Sequence, residues 1–318
     1  MRSKPFCIMV CVAMIGLCLM AGEKPAPPTA PAESDLRARL ALLLSGEEFK
    51  EDRVEILRMG KPAVRILGEM LTDGITSDIV AARALMLLAE MGVDAEALRH
   101  VLPTYLLRSD NFVRLNAVRT MGKLDAAFYV PSYVAMLDDS YEPVQRSSIE
   151  VLKNQPSLAG KGILEAWIAR PDMPDKRPSK DVINEAKEAV AAIAKAMPAD
   201  ANGVAETMRR LRSEKAGERL GAVRDISKVQ GKQGDAVLVL LIGDPSGEVA
   251  AEAMKVLGER HALQNLVVLQ LWLARYETRT PKGGRDQSLE DAARAAIESI
   301  RRGIKESTTA PASQPDDT

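Results

Sequence analysis

Val113 to Gly122 reads VRLNAVRTMG, and Val249 to Gly258 reads VAAEAMKVLG. Both place a valine, a small residue and a large apolar residue at intervals of four, then a glycine: Val113, Ala117, Met121, Gly122 and Val249, Ala253, Leu257, Gly258. Residues four apart share one helix face. A small residue between two large ones lets a neighbouring helix come close, toward the short end of the roughly 8–10 Å range of helix separations. The frame recurs as Val80/Ala84/Leu88/Ala89, Val144/Ser148/Leu152, Val182/Ala186/Val190/Ala191 and Leu289/Ala293/Ile297, with weaker versions around Ala222/Ile226 and Met59/Gly60. The frames start near residues 51, 80, 113, 144, 182, 218, 249 and 289. Recurrence at roughly this period is the mark of a repeat architecture.

Each frame is followed by a turn and a second apolar segment. Gly60-Lys61-Pro62 precedes AVRILGEML, Gly92-Val93-Asp94 precedes AEALRHVLPTYLL, Lys123-Leu124-Asp125 precedes AAFYVPSYVAML, and residues 231–234 precede DAVLVLLI. A two-helix unit cannot cover its own apolar face, so stacked units bury it against one another. Two helix starts are expected from local chemistry. Asp244 followed by Pro245 reads as an N-cap with proline at the first helical position. Ser288 with Asp291 three residues on reads as a capping box.

The composition agrees with a helical chain. Of 318 residues 46% are hydrophobic and 27% charged, enough for a core, while only 3% are aromatic. The formal net charge of −1 supplies no basic field for nucleic acid. Arg2 and Lys4 precede an uncharged apolar run from Phe6 to Gly22, FCIMVCVAMIGLCLMAG. That run is short for a spanning helix, which needs about 20 residues, and suits the core of a signal peptide. All three cysteines, Cys7, Cys11 and Cys18, lie within it. Removal of the segment takes the 43 basic side chains to 41 against 44 acidic ones, a net of −3, and leaves no cysteine for a disulfide, a thiolate nucleophile or a metal. The expected organisation is a signal peptide at 1–22, a Pro/Ala-rich linker at 23–35, a helical repeat domain at 36–305 and a polar tail at 306–318. The alternative for the first part is an inner-membrane anchor formed by residues 6–22. Two loops interrupt the array: PDMPDKRPSK at 171–180 and TRTPKGGRDQS at 278–288.

The stretches GKPAVRILGEML, SDNFVRLNAVRTMGKL and GDPSGEVAAEAMKVLGER resemble HEAT repeats, in the short form found in bacterial proteins and in phycobilisome-lyase relatives. The resemblance covers roughly residues 36 to 304. It implies an all-α fold, a right-handed α-α superhelix of about seven to eight helix pairs. It also implies an aspartate before the first helix, met at Asp139 and Asp244, and an arginine after the key valine. That arginine is present at Arg114 and replaced by Gln145 and Ala250.

Chemistry is sparse. His100 and His261 are the only histidines, and neither has a metal-ligand partner at helical spacing; His261 is expected on an exposed turn. Asp138-Asp139 and Glu47-Glu48 are adjacent in sequence and do not face each other on a helix. No serine-nucleophile signature and no phosphate loop is found. No catalytic residue, metal or cofactor is expected. The suggestive pattern is aromatic: Tyr105, Tyr129, Tyr133, Trp167, Trp272 and Tyr276 fall on second helices, with Arg170, Arg209 and Arg275 on or beside them. In HEAT-like arrays that layer lines the concave face, and aromatics with arginines are the usual anchors of recognition. Tyr105 and Tyr133 also stand where the repeat wants a core leucine, and Trp167 continues the apolar stripe of Ile163 and Leu164. The expected function is a non-enzymatic scaffold for an unknown protein or peptide partner, periplasmic or extracellular. Nucleic acid is excluded as a partner, and a membrane is met only through an uncleaved N-terminal segment. The alternative is a lyase-like or enzyme-accessory protein acting on a small molecule.

Overall fold

In the computed structural model, residues 33–309 are described apart from 75–76, 93–97, 156, 171–177, 197–206, 208, 229–230 and 282–283. The expected signal peptide and almost all of the linker lie outside the described residues, as do most of the 171–180 loop and the end of the tail. The chain is all-helical, 80% helix, with no strand among the described residues. The helices are α1 (Glu33–Ser45), α2 (Phe49–Met59), α3 (Lys61–Thr72), α4 (Asp78–Met91), α5 (Asn111–Leu124), α6 (Val130–Met136) and α7 (Glu142–Asn154), then α8 (Leu158–Ile168), α9 (Lys180–Ala196), α10 (Ala216–Ser227), α11 (Lys232–Leu241), α12 (Gly247–Glu259), α13 (Leu263–Arg279) and α14 (Gln287–Thr309). A 3-10 segment, Leu102–Leu107, stands between α4 and α5. Helix α14 runs into the stretch read as tail, ending at Thr309.

The frame does what its spacing implies. Its small centres Ala84, Ala117, Ser148, Ala186, Ala253 and Ala293 are all fully buried. The glycines that close it mark the tightest approaches. A Cβ on Gly258 would lie 2.9 Å from the Cα of Ala296, so α12 and α14 touch backbone to backbone there. A Cβ on Gly122 would lie 2.7 Å from a methyl of Val151 on α7.

Helix starts differ from expectation at two places. The N-cap of α12 is Ser246, while Asp244 stands two residues earlier and accepts the Ser246 N–H at 2.8 Å. For α14 the acceptor is Asp286, whose Oδ1 receives both the N–H (2.9 Å) and the hydroxyl (2.6 Å) of Ser288. A carboxylate is the stronger acceptor, so it displaces the serine from the capping role, and those bonds hold Asp286 below the usual aspartate range. Two second helices are also shorter than their apolar runs. Pro103 and Pro131 have no N–H to donate, so regular structure begins only beside them, as the 3-10 segment and as the seven-residue α6.

First helices pack in sequence: α4 on α5, α5 on α7, α7 on α9, and further along α10 on α12 and α12 on α14. Second helices do something else. Helix α6 packs on α11 and α13, α8 packs on α11, and the 3-10 segment packs on α13. The inner layer of the earlier repeats is thereby covered by the inner layer of the later ones.

This closure follows an internal duplication. RLNAVRTMGK at 114–123 returns as RLGAVRDISK at 219–228, and ILEAWIAR at 163–170 returns as VLQLWLAR at 268–275, each 105 residues on. In this register α11 overlaps the position of α6, and α13 that of α8. The packing of α8 on α11 and of α6 on α13 is then one contact made twice with the copies exchanged. Two hydrogen bonds repeat the exchange: Arg170 donates to the carbonyl of Leu240 at 3.2 Å, and Arg275 to that of Ala135 at 2.7 Å. Leu240 is the counterpart of Ala135, and Arg275 of Arg170. Such reciprocity is the property of an isologous, two-fold interface, here within one chain.

Each copy holds one Asp–Arg rung. Arg114 pairs with both oxygens of Asp139, each at 2.9 Å, and Arg219 with both of Asp244, at 2.7 and 2.8 Å. The remaining guanidinium donor takes two backbone carbonyls, Arg108 and Ser109 in one case, Ser213 and Glu214 in the other. Arg114 follows the valine of the frame. Arg219 follows Glu218, which hid the second rung from a reading keyed to valine.

Candidate functional site

Tyr105, Tyr129, Tyr133 and Trp167 are buried, 5% exposed or less. The Tyr105 hydroxyl donates to the Leu71 carbonyl of α3 at 2.7 Å, so this aromatic packs into the core against the preceding helix pair. Tyr129 and Tyr133 are covered entirely, and burial first, then neighbouring negative charge including Asp125, pushes both phenols up from their ordinary value. Their hydroxyls have no hydrogen-bond partner among the described residues, nor do the Ser132 hydroxyl on α6 and the Asn265 amide on α13. These four aromatics are core side chains and form no exposed layer; Tyr105, Tyr133 and Trp167 fill the core positions that their spacing also allowed. Arg209 is exposed and stands apart from the rest. His261 is on an exposed turn with φ of 50°.

The other four, Arg170, Trp272, Arg275 and Tyr276, converge on one cavity of about 330 Å³ between the ends of α6, α11 and α13 and the start of α14. That volume is in the range of small-ligand sites, about 300–1,000 Å³. The walls are apolar, with Val134, Val239, Ile242, Val268, Leu271 and Leu289. Trp272 and Tyr276, one helical turn apart on α13, stack with ring centroids 4.8 Å apart and an interplanar angle of 10°. The Tyr276 hydroxyl accepts the Asp286 N–H at 2.8 Å, which ties the stack to the cap of α14.

The polar end of the cavity is a charged knot. Asp138 accepts from Trp167 Nε1 and from Arg170, both at 2.8 Å. Asp139, held by Arg114, also takes Arg275 at 2.9 Å. Arg279 donates to the Asp138 carbonyl at 3.2 Å and has no carboxylate partner among the described residues. Burial pushes the Asp138 carboxyl up, but Arg170, the Trp167 N–H and Arg275 outweigh it and hold the group below the ordinary aspartate range. Burial draws Arg275 down from its usual value; Asp139 and Asp138 oppose this, and Arg279 and Arg114 add to it. Three guanidiniums, of Arg114, Arg170 and Arg275, thus share two carboxylates and Arg279 adds a fourth positive charge, so the knot is cationic.

The knot is asymmetric although the sequence around it is duplicated. Gly243 is the counterpart of Asp138, so Trp272 lacks the acceptor that Trp167 has; its Nε1 finds none among the described residues. A Cβ at Gly243 would lie 3.3 Å from Arg170 Nη1. Sequence reasoning selected Arg170, Trp272, Arg275 and Tyr276, noted Asp138 and Asp139 without placing them at a site, and missed Gly243 and Arg279. The 105-residue repeat of W-I-A-R as W-L-A-R would have led to them, since the counterpart of the acid is found by the same offset.

Among the described residues no cluster of three or more His, Cys, Asp or Glu side chains is placed to hold a metal. No helix among them is long and apolar enough to cross a membrane. Comparison with known proteins finds no matching family profile and no matching curated protein. Among solved structures the chain is similar to an engineered protein, a target of the Northeast Structural Genomics Consortium, at 20% identity over 76% of this chain and 97% of that one, with a TM-score of 0.25. At that score the likeness carries no argument.

Proposed function

We propose that the chain is a non-enzymatic binding scaffold, a HEAT-like right-handed superhelix of about seven to eight helix pairs, that holds a protein or peptide outside the cytoplasm. The observation that carries the reading is the fate of the aromatic layer. Four of its aromatics are sealed by the chain itself, while Trp272 and Tyr276 remain half-exposed at a cavity that also receives Arg170 and Arg275. A stacked aromatic pair beside arginines, at the mouth of an apolar cleft, is the composition of a binding hot spot. The arginines there are held by carboxylates and carbonyls. Export rests on the uncharged segment from Phe6 to Gly22 behind Arg2 and Lys4.

The size of the cavity supports a second reading, an accessory protein that takes a small molecule. The two are separated by affinity capture with the tagged full chain from the exported fraction, beside a Trp272→Ala/Tyr276→Ala variant checked for helicity. A protein recovered by the wild type and lost by the variant supports the scaffold. Equal recovery by both, or none from either, sinks it.

A further inference from the structure

The two copies meet the same chemical demand in different ways. In the first, the Asp138 carboxylate bridges the Trp167 indole N–H and the Arg170 guanidinium at 2.8 Å each. In the second, Trp272 and Arg275 keep the same W-x-x-R spacing on α13, but glycine replaces the acid. Arg275 turns instead to Asp139 of the first copy, which already serves Arg114. Arg279 is left with a carbonyl, and the indole N–H with nothing among the described residues. A cationic excess, a free N–H donor and an apolar chamber thus meet at the one corner where the built-in acid is missing.

We propose that this cavity binds a carboxylate carried on an apolar body, the acid group taking beside Gly243 the place that the Asp138 side chain takes at the other corner. Arg170, whose Nη1 would stand 3.3 Å from a Cβ at Gly243, faces that place directly; Arg279 and Trp272, which line the same cavity, supply the uncommitted donors, and the walls from Val239, Val268 and Leu271 receive the body. Charge-assisted bonds to a desolvated guanidinium are the strong ones, and an apolar chamber with a few convergent polar groups is the usual build of a ligand site. The assignment deepens the binding function proposed above and rests on it. Either a free small acid or the C-terminal residue of a peptide presents this chemistry.

Titration calorimetry of the full chain tests it with 3-phenylpropionate against 3-phenylpropanamide, and with the peptide Ala-Ala-Ala-Phe against its C-terminal amide. An acid should bind about tenfold or more tightly than its amide, as expected for loss of one charged hydrogen-bond partner. Gly243→Asp, which supplies the acid internally, should weaken acid binding by a similar factor. Arg279→Ala should do so without adding anything to the interior, which covers the case in which Gly243→Asp fails to fold. Tighter binding of the free acid than of the peptide assigns a small ligand, and the reverse assigns a chain terminus. Equal binding of acid and amide, no binding of either acid, or acid binding unchanged in both variants overturns the proposal. If affinity capture still yields a partner dependent on Trp272 and Tyr276 while the acids fail, only the carboxylate assignment falls.

Discussion

The Asp138 corner and the Gly243 corner stand 105 residues apart in a duplicated sequence and border one cavity, yet the tryptophan is closed in at the first and partly open at the second. At the first, an acid satisfies a tryptophan and an arginine and Trp167 is 5% exposed. At the second, glycine removes the acid, Trp272 stands half-exposed and a cavity remains. The apolar frame is shared, but α13 runs on to Arg279 where α8 ends at Ile168, and so carries Tyr276 and Arg279 to the cavity. Within the shared W-x-x-R stretch the difference is one side chain at the turn after α6 or α11, and the arginines must then find other partners. In a duplicated fold, function is best sought where the copies disagree.

The largest effects are expected at the neighbouring rungs. Asp139→Ala leaves both Arg114 and Arg275 without their carboxylate in the interior. Removing one partner of a buried ion pair costs about 3–5 kcal/mol, so Asp139→Ala should lower stability by about that amount. Asp244→Ala strands Arg219 alone and should cost less, about 1–3 kcal/mol, because one guanidinium and not two loses its carboxylate. Urea denaturation of the two variants measures the gap. Equal losses would mean that Arg275 gains nothing from Asp139, and that the copies are not joined by this acid.

Much of the fold was legible because the frame is local. Val113, Ala117 and Met121 state a helix, its buried face and its need for a close neighbour within nine residues, and the same holds at Val249 to Gly258. The closure was not legible, because it depends on which apolar face meets which. Tyr129 and Tyr133 look identical in sequence whether they face a partner or α11 and α13. The site was half legible for the same reason. Arg170, Trp272, Arg275 and Tyr276 announce themselves by residue type, whereas Gly243 matters for what it lacks, visible only beside Asp138. Asp244 and Ser288 show a smaller limit: cap chemistry was recognised, but not which of two neighbouring acceptors would take the N–H.

A second, smaller effect separates the corners by pH. The folded Asp138 carboxyl lies below its unfolded value, which is near 3.9. A group with a depressed folded pKa contributes stability that is fully present above the unfolded pKa and lost as the pH falls through the folded one. Asp138→Asn should therefore cost about 1 kcal/mol near pH 7, after allowance for the open side of the carboxylate. The two proteins should converge below about pH 4 as the wild type loses its advantage. Unfolding midpoints taken between pH 7 and pH 2.5 give the comparison. A gap between wild type and variant that stays constant across that range would show that Asp138 acts through shape and not through charge.

The smallest effects belong to the tryptophans, and they test the comparison most directly because these are the chain's only two. Trp167→Phe deletes the N–H that Asp138 accepts and leaves one oxygen of a half-buried acid without that donor, at a cost of about 1 kcal/mol. Trp272→Phe deletes an N–H that has no acceptor among the described residues and should shift stability by less than about 0.5 kcal/mol. Each variant also leaves one emitter. Trp272 alone, at the cavity mouth, should be quenched readily by acrylamide, and Trp167 alone should be protected. Protection of both would mean that the second corner is as closed as the first. The missing acid beside Gly243 would then be a packing detail, because an acceptor that solvent cannot reach is one that no ligand can replace.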